Sequence, residues 1–146
     1  VTVAAVVERD RRFLLVEEET REGLRLNQPA GHVESGESLV AAASREALEE
    51  SGWQVVPQHV VGLYTWLSPD SGITYLRVAF AADAVEHDAM RVLDEGIVRT
   101  LWLTADEIGA CRDRHRSPLV QRCVDDYRAG RRLPLDWITD LQEAGS

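Results

Sequence analysis

Apolar positions fall in two different rhythms along this chain. Val1 to Val7 and Phe13 to Val16 are apolar runs separated by the polar stretch Glu8-Arg9-Asp10-Arg11, which predicts a hairpin. Leu24 and Leu26 lead into Asn27-Gln28-Pro29-Ala30-Gly31, a strand ending in a Pro/Gly loop. The rhythm then changes: Ser38 is placed as the N-cap of a helix running to Ser51, and Gly52 stands where a left-handed residue stops it. Apolar runs return around Trp53 to Val56, Val60 to Trp66, Tyr75 to Ala81 and Ile97 to Leu103, with turn signals such as Ser68-Pro69-Asp70-Ser71-Gly72 between them, and they predict strands. Thr104 with Glu107 makes a cap-like start to a helical turn through Ile108. Ser117-Pro118 opens a helix through Arg128 with Leu119, Val120, Cys123, Val124 and Tyr127 at helical spacing. Strands and helices mix without strict βαβ alternation, so the class is α/β in the α+β sense, a mixed sheet with helices on its faces.

At 146 residues the chain is long enough for one sizeable core and reads as a single domain over 1–146. With 45% hydrophobic and 28% charged residues it has the balance of a folded soluble protein. No apolar run approaches the roughly 20 residues of a membrane helix, and no repeat, linker or basic-then-apolar leader pattern is visible. Cys111 and Cys123 stand in no metal or redox spacing, so they read as free thiols in a reducing cytoplasm. All the basic residues are Arg, yet the formal charge is −9, which argues against a duplex nucleic-acid partner.

What matters is where the acids sit. At 100° per residue, Glu46, Glu49 and Glu50 fall within an arc of about 100° on the predicted helix. The arc carrying Val40, Ala41, Ala47 and Leu48, with Ser44, supplies the stripe expected to dock on the sheet. Clustered Glu repel one another by a few tenths of a kcal/mol per pair, roughly 0.2–0.5, which Arg45 relieves in part and a hard divalent cation would relieve further. A solvated acidic face is the commoner meaning of such a trio. Here, however, the Gly-bounded acidic loop Gly31-His32-Val33-Glu34-Ser35-Gly36-Glu37 feeds the same helix, bringing Glu37 and the Gly31 carbonyl toward it.

The stretch from Gly31 to Trp53 resembles the Nudix box: Gly31, Glu37, Arg45-Glu46, Ala47, Glu49-Glu50, Gly52 and Trp53 fill its fixed positions at the correct spacing. The resemblance implies the Nudix fold, a mixed β-sheet sandwiched between helices, and Mg²⁺- or Mn²⁺-dependent hydrolysis of a nucleoside diphosphate linked to another group. It implies Glu46, Glu49 and Glu50 as metal ligands with the Gly31 carbonyl as a further candidate. It also implies Arg45 orienting the glutamates together with Glu37, and Glu46 or Glu49 accepting a proton from water. Many members carry an extra acid a few residues before a late-strand Trp. Here Trp102 matches that Trp, but the usual place for the acid falls near Gly96, and Asp94-Glu95 just before it read as loop-solvating acids.

On the substrate side, Val16-Glu17-Glu18, Asn27 to His32, Arg116 to Val120 and Gly130 to Leu135 resemble segments of the phosphatase NudJ subgroup of that family. That subgroup implies hydrolysis of nucleoside tri- and diphosphates with release of phosphate, and of thiamine- or hydroxymethylpyrimidine-type pyrophosphates. The substrate-binding candidates are His32, Arg77, Asn27 and Arg116. By type alone His32 is as readily a solvated loop residue as a phosphate contact. Arg77, alternating with Leu76 and Val78, is read as covering the sheet rather than entering a cleft. Tyr64, Trp66 and Tyr75 serve packing more often than stacking on a ring. Arg112-Asp113-Arg114-His115-Arg116 reads as a solvated turn before a helix rather than as a phosphate-contacting arm at a cleft mouth. The expected partner is a small phosphorylated molecule, with no membrane and with monomer and homodimer both open. A nucleotide-sensing protein of the same fold, without catalysis, is the alternative to an enzyme; an acidic interaction protein would need no divalent cation at all.

Overall fold

A computed structural model describes residues 1–141; residues 142–146 of the predicted domain lie outside the described residues. The strands are β1 (Thr2–Arg9), β2 (Arg12–Thr20), β3 (Gly23–Asn27), β4 (Ala30–His32), β5 (Trp53–Leu67), β6 (Thr74–His87), β7 (Ile97–Thr104) and β8 (Leu133–Pro134). The helices are α1 (Leu39–Ser51), α2 (Ala105–Ala110) and α3 (Leu119–Arg128), with short 3₁₀ turns at Arg112–Arg114 and Leu135–Trp137. The sheet runs β3-β2-β1-β6-β5-β8, with β4 added on β1 and β7 on β2. Because β1 is parallel to β6 but antiparallel to β2 and β4, the sheet is mixed as expected.

β1 lies at the centre. Val3 to Val7 are 1% exposed or less, so both faces of the strand are covered, and this is why it reads as an unbroken apolar run instead of an alternating one. The turn to β2 closes on the Arg9–Arg12 pair, with Asp10 and Arg11 both at positive φ, the geometry that lets a two-residue turn follow the strand twist.

Helix α1 covers one face. The Ser38 hydroxyl accepts from the Ala41 N–H at 3.0 Å, and Gly52 at φ 76° closes the helix by donating to the Leu48 carbonyl. Its docking side differs from the predicted arc. Ala42, Ala43 and Ala47 are buried against Val3, Val78, Phe80 and Val55, whereas Ala41 is exposed and Val40 and Leu48 are only half-buried. The three alanines bring the helix close to the sheet, and the roll carries Glu46 inward to 9% exposure. Helices α2 and α3 cover the other face. Val124 and Cys123 of α3 and Ile108 of α2 pack with Val6, Leu15, Val61, Ala79 and Ala81, and α2 starts on a complete Thr104–Glu107 capping box.

Two predicted strands around Pro57 prove to be one. Register shifts at Gln54/Val55, Pro57/His59 and Val60/Gly62 let β5 run continuously past the proline, because a bulge takes up the missing backbone donor. Strand β4, predicted as loop, consists of residues whose pairing to Thr2–Ala4 is carried by main chain. No helix among the described residues is long and apolar enough to cross a membrane.

Glu17, 3% exposed, is held by Arg99 at 3.0 Å and by Arg114. Burial drives its pKa up, but the hydrogen bonds from Arg99 and Arg114 outweigh burial and leave it below the ordinary value. A carboxyl held lower in the folded than in the unfolded chain contributes stability above the unfolded pKa, and that contribution disappears as pH falls through the folded one. Glu17→Gln is therefore expected to cost about 1–2 kcal/mol at pH 7, since both arginines keep much of their hydration. In pH-resolved urea melts the gap to wild type should close below about pH 4. A gap that persists at low pH would show a packing effect instead.

Candidate active site

Arg45 organises the end of the molecule where α1 meets β4. Its Nε donates to Glu37 Oε2 at 2.6 Å and its Nη2 to Glu37 Oε1 at 3.0 Å, a fork-on-fork pair. Nη2 also donates to the His32 carbonyl at 3.0 Å, while Nη1 reaches Glu46 Oε1 at 3.0 Å and Glu49 Oε2 at 3.1 Å. One guanidinium thus ties the loop before α1 to two carboxylates on it. These contacts hold the Glu37 carboxyl below its ordinary pKa and raise that of Arg45. Glu37 also accepts from the Glu34 N–H at 3.1 Å, which fixes the acidic loop.

The remaining acids are over-supplied with like charge. Burial raises the pKa of Glu46; Arg45 opposes this, and Glu49 and Asp94 add to it. Glu50 is pushed up to about 8, chiefly by burial and further by Glu46, Glu18 and Asp94, although its Oε1 accepts from the Ala30 N–H at 2.8 Å. One carboxylate oxygen each from Glu46, Glu49 and Asp94 lie within 4.8 Å of one another. The donor set is all oxygen, partly buried and short of positive charge, which fits a hard divalent cation. Asp94, read from sequence as a solvating loop acid, is exposed yet brought to the cluster because its N–H donates to the Glu49 carbonyl at 3.0 Å. Its loop is pinned to the end of α1, a long-range contact that no local pattern announces.

Gly31 makes room for this arrangement. A Cβ there would overlap the Glu46 carboxylate, so the absent side chain is what lets the carboxylate lie against β4. Gly31→Ala is expected to lower turnover about tenfold while the fold survives, since a displacement of about 1 Å at a reacting group has effects of this size or larger. Unchanged turnover would show that Glu46 is free to lie elsewhere.

Beside the acids opens a cleft of about 1270 Å³. Asn27, His32, Arg77 and Arg116, drawn from four separate segments, all line it. Arg77 corrects the sequence reading: at 5% exposure it is buried in the cleft floor. Its Nη1 donates to Gln28 Oε1 at 3.0 Å and its Nη2 to Asn27 Oδ1 at 3.1 Å. Its Nε is buried with no hydrogen-bond partner, and no ion pair to it occurs among the described residues. A buried cation held by neutral amides is arranged to meet an anion. Gln28 is in turn fixed to α3 through the Val120 carbonyl at 2.9 Å.

The basic run divides. Arg114 is consumed by Glu17, whereas Arg112, His115 and Arg116 face the cleft. Glu18, singled out in the sequence only as part of a triplet, also lines the cleft, with Arg116 Nη1 at 3.8 Å. Burial raises its pKa, and Arg116, the Asn27 amide and Arg77 work against that rise. Among the aromatics, Tyr64 packs with the core and donates to Asp126 at 2.7 Å, while Trp66 and Tyr75 line the cleft.

Comparison with known proteins bears directly on this geometry. The family model of the NUDIX domain matches residues 1–123. Phosphatase NudJ of Escherichia coli (strain K12) is 40% identical over 141 residues, covering 97% of this chain and 91% of that protein. A NUDIX hydrolase from Nitrosomonas europaea superposes with a TM-score of 0.95 at 49% identity, covering 99% of this chain and 97% of the other. A UDP-X diphosphatase, at 16% identity and TM-score 0.71 over 91% of this chain and 64% of its own, shares the fold.

Proposed function

From the premise that the chain belongs to the Nudix family and is a hydrolase of pyrophosphate bonds, we propose that it acts with Mg²⁺ or Mn²⁺ on small phosphorylated metabolites. The substrates are nucleoside tri- and diphosphates, with release of phosphate, and thiamine- or hydroxymethylpyrimidine-type pyrophosphates. One observation carries this reading: the Glu46, Glu49 and Asp94 carboxylates converge, and Glu46 lies against Gly31, which lines the cleft that also holds the buried Arg77. The likeness to phosphatase NudJ over nearly the whole chain supports the substrate class.

Glu46, Glu49 and Asp94 would hold the cation, with Glu50 and the Gly31 carbonyl beside them. When bound, a divalent cation neutralises phosphate oxygens and lowers the pKa of water. The protein's own groups do the rest. Arg45 fixes one oxygen each of Glu46 and Glu49, so that either carboxylate meets the attacking water in one orientation and takes its proton. Glu37 positions Arg45. Arg77, Asn27, Arg116 and His32 bind phosphate oxygens on the cleft side, and the neutral partners of Arg77 leave its charge for the substrate.

Calorimetry with Mg²⁺, followed by phosphate release from a panel of nucleotides, thiamine pyrophosphate and nucleotide sugars, tests the proposal. Turnover of the first two classes, abolished by chelation, is expected. Undiminished turnover in chelator would remove the metal, and activity confined to nucleotide sugars would remove the substrate class. In the same panel Arg116→Ala should raise KM several-fold, about 3- to 10-fold for one exposed phosphate contact.

A further inference from the structure

The strand register lays out the cleft floor as a grid. Tyr64, Arg77, Thr2 and His32 stand side by side across β5, β6, β1 and β4. One row further along, Trp66 is paired with Tyr75. Residues two apart on a strand share a face, about 7 Å apart, so Tyr75 lies on the same face as Arg77, one step outward. The Trp66 and Tyr75 rings stack with centroids 6.0 Å apart and 24° between planes, and the His32 ring stands 6.5 Å from Tyr75. Both rings are half-buried and line the cleft. Unlike Tyr64, neither packs into one of the hydrophobic core clusters.

We infer that Trp66 and Tyr75 are the specificity-determining residues of this cleft: they seat a planar aromatic ring carried by the substrate, one row beyond the phosphate held at Arg77. The inference rests on the pyrophosphatase reading above and deepens it. Flat π-faces accept any planar ring without reading its edge. This selects ring-bearing pyrophosphates as a class over ringless ones, without choosing among rings.

The test is steady-state kinetics of the full chain in Mg²⁺, with thiamine pyrophosphate and a nucleoside diphosphate as ring-bearing substrates and inorganic tripolyphosphate as a ringless competitor. Trp66→Leu and Tyr75→Leu are expected to raise KM for both substrates about tenfold or more, with kcat within about twofold and the Ki of tripolyphosphate unchanged. Trp66→Phe should restore most of the lost affinity, which separates stacking from folding. An unchanged KM, or KM and Ki rising together, would overturn the inference while leaving the pyrophosphatase reading in place. A wild-type protein that turns over neither ring-bearing substrate overturns both.

Discussion

Glu46→Gln and Glu50→Gln should each lower kcat/KM for a pyrophosphate substrate by about a hundredfold, because Glu46 belongs to the set that would hold the cation and Glu50 stands beside it, where even neighbours of ligands matter 10- to 100-fold. Folding should not suffer. The amide oxygen of a Gln at position 50 still accepts the Ala30 N–H, now made by Glu50 at 2.8 Å. Without metal, Glu50→Gln should even be the more stable protein at high pH. The carboxyl of Glu50 titrates near pH 8 in the fold, raised first by burial and then by Glu46, Glu18 and Asp94. A group raised in this way binds its proton more tightly folded than unfolded. Metal-free wild type therefore loses stability as pH climbs from about 4.5 toward 8, whereas the Gln variant lacks that slope. Thermal melts in chelator at pH 5 and 8 measure it, and parallel slopes would refute the assignment. Adding Mg²⁺ should raise the Tm of wild type much more than that of the variant.

Arg45→Ala ranks next. The single side chain of Arg45 joins Glu37, Glu46, Glu49 and the His32 carbonyl. Its loss leaves three carboxylates facing one another, with an expected cost of about 2 kcal/mol in chelator and a drop of about 10- to 100-fold in activity. Arg45→Lys keeps the charge but not the planar fork, so it should recover stability more fully than turnover. Equal recovery of both would show that charge alone suffices. Excess Mg²⁺ should narrow the stability gap, since a cation among the same carboxylates relieves the same repulsion.

The helix that carries these acids was legible because its signals are local. Ser38 caps it, Gly52 ends it, and the spacing of Arg45, Glu46, Glu49 and Glu50 sets their common side. Its roll was not legible. Periodicity places Val40, Ala41, Ala47 and Leu48 on the docking arc, and Ala47 does dock, but its companions are the small Ala42 and Ala43, since close approach to the sheet outweighs extra apolar volume on a longer side chain. The burial of Arg77 is hidden from the sequence for a related reason. Alternation on a strand says which face a residue takes, not whether that face is later roofed, and α3 with the Gln28 amide roofs this one. Asp94 and Glu18 join the site through pairings between distant segments, for which a single sequence carries no periodic signal. Asn27 is marked in the sequence by resemblance alone, whereas Arg116 also stands in a dense charge run.

The two halves of the site are closed by loops of very different size. Arg45 reaches Glu37 and His32 over 8 and 13 residues, and Glu50 reaches Ala30 over 20. Arg77 meets Gln28 and Asn27 only across 49 and 50 residues, and its strand must first find β1. Closing longer loops sacrifices more chain entropy and slows assembly. The third acid of the cluster, Asp94, is likewise brought to Glu49 from a distant segment, so only the Arg45 network is closed by nearby chain. Cation capture by Glu46, Glu49 and Asp94 would therefore report the same long-range assembly that substrate recognition at Arg77 requires.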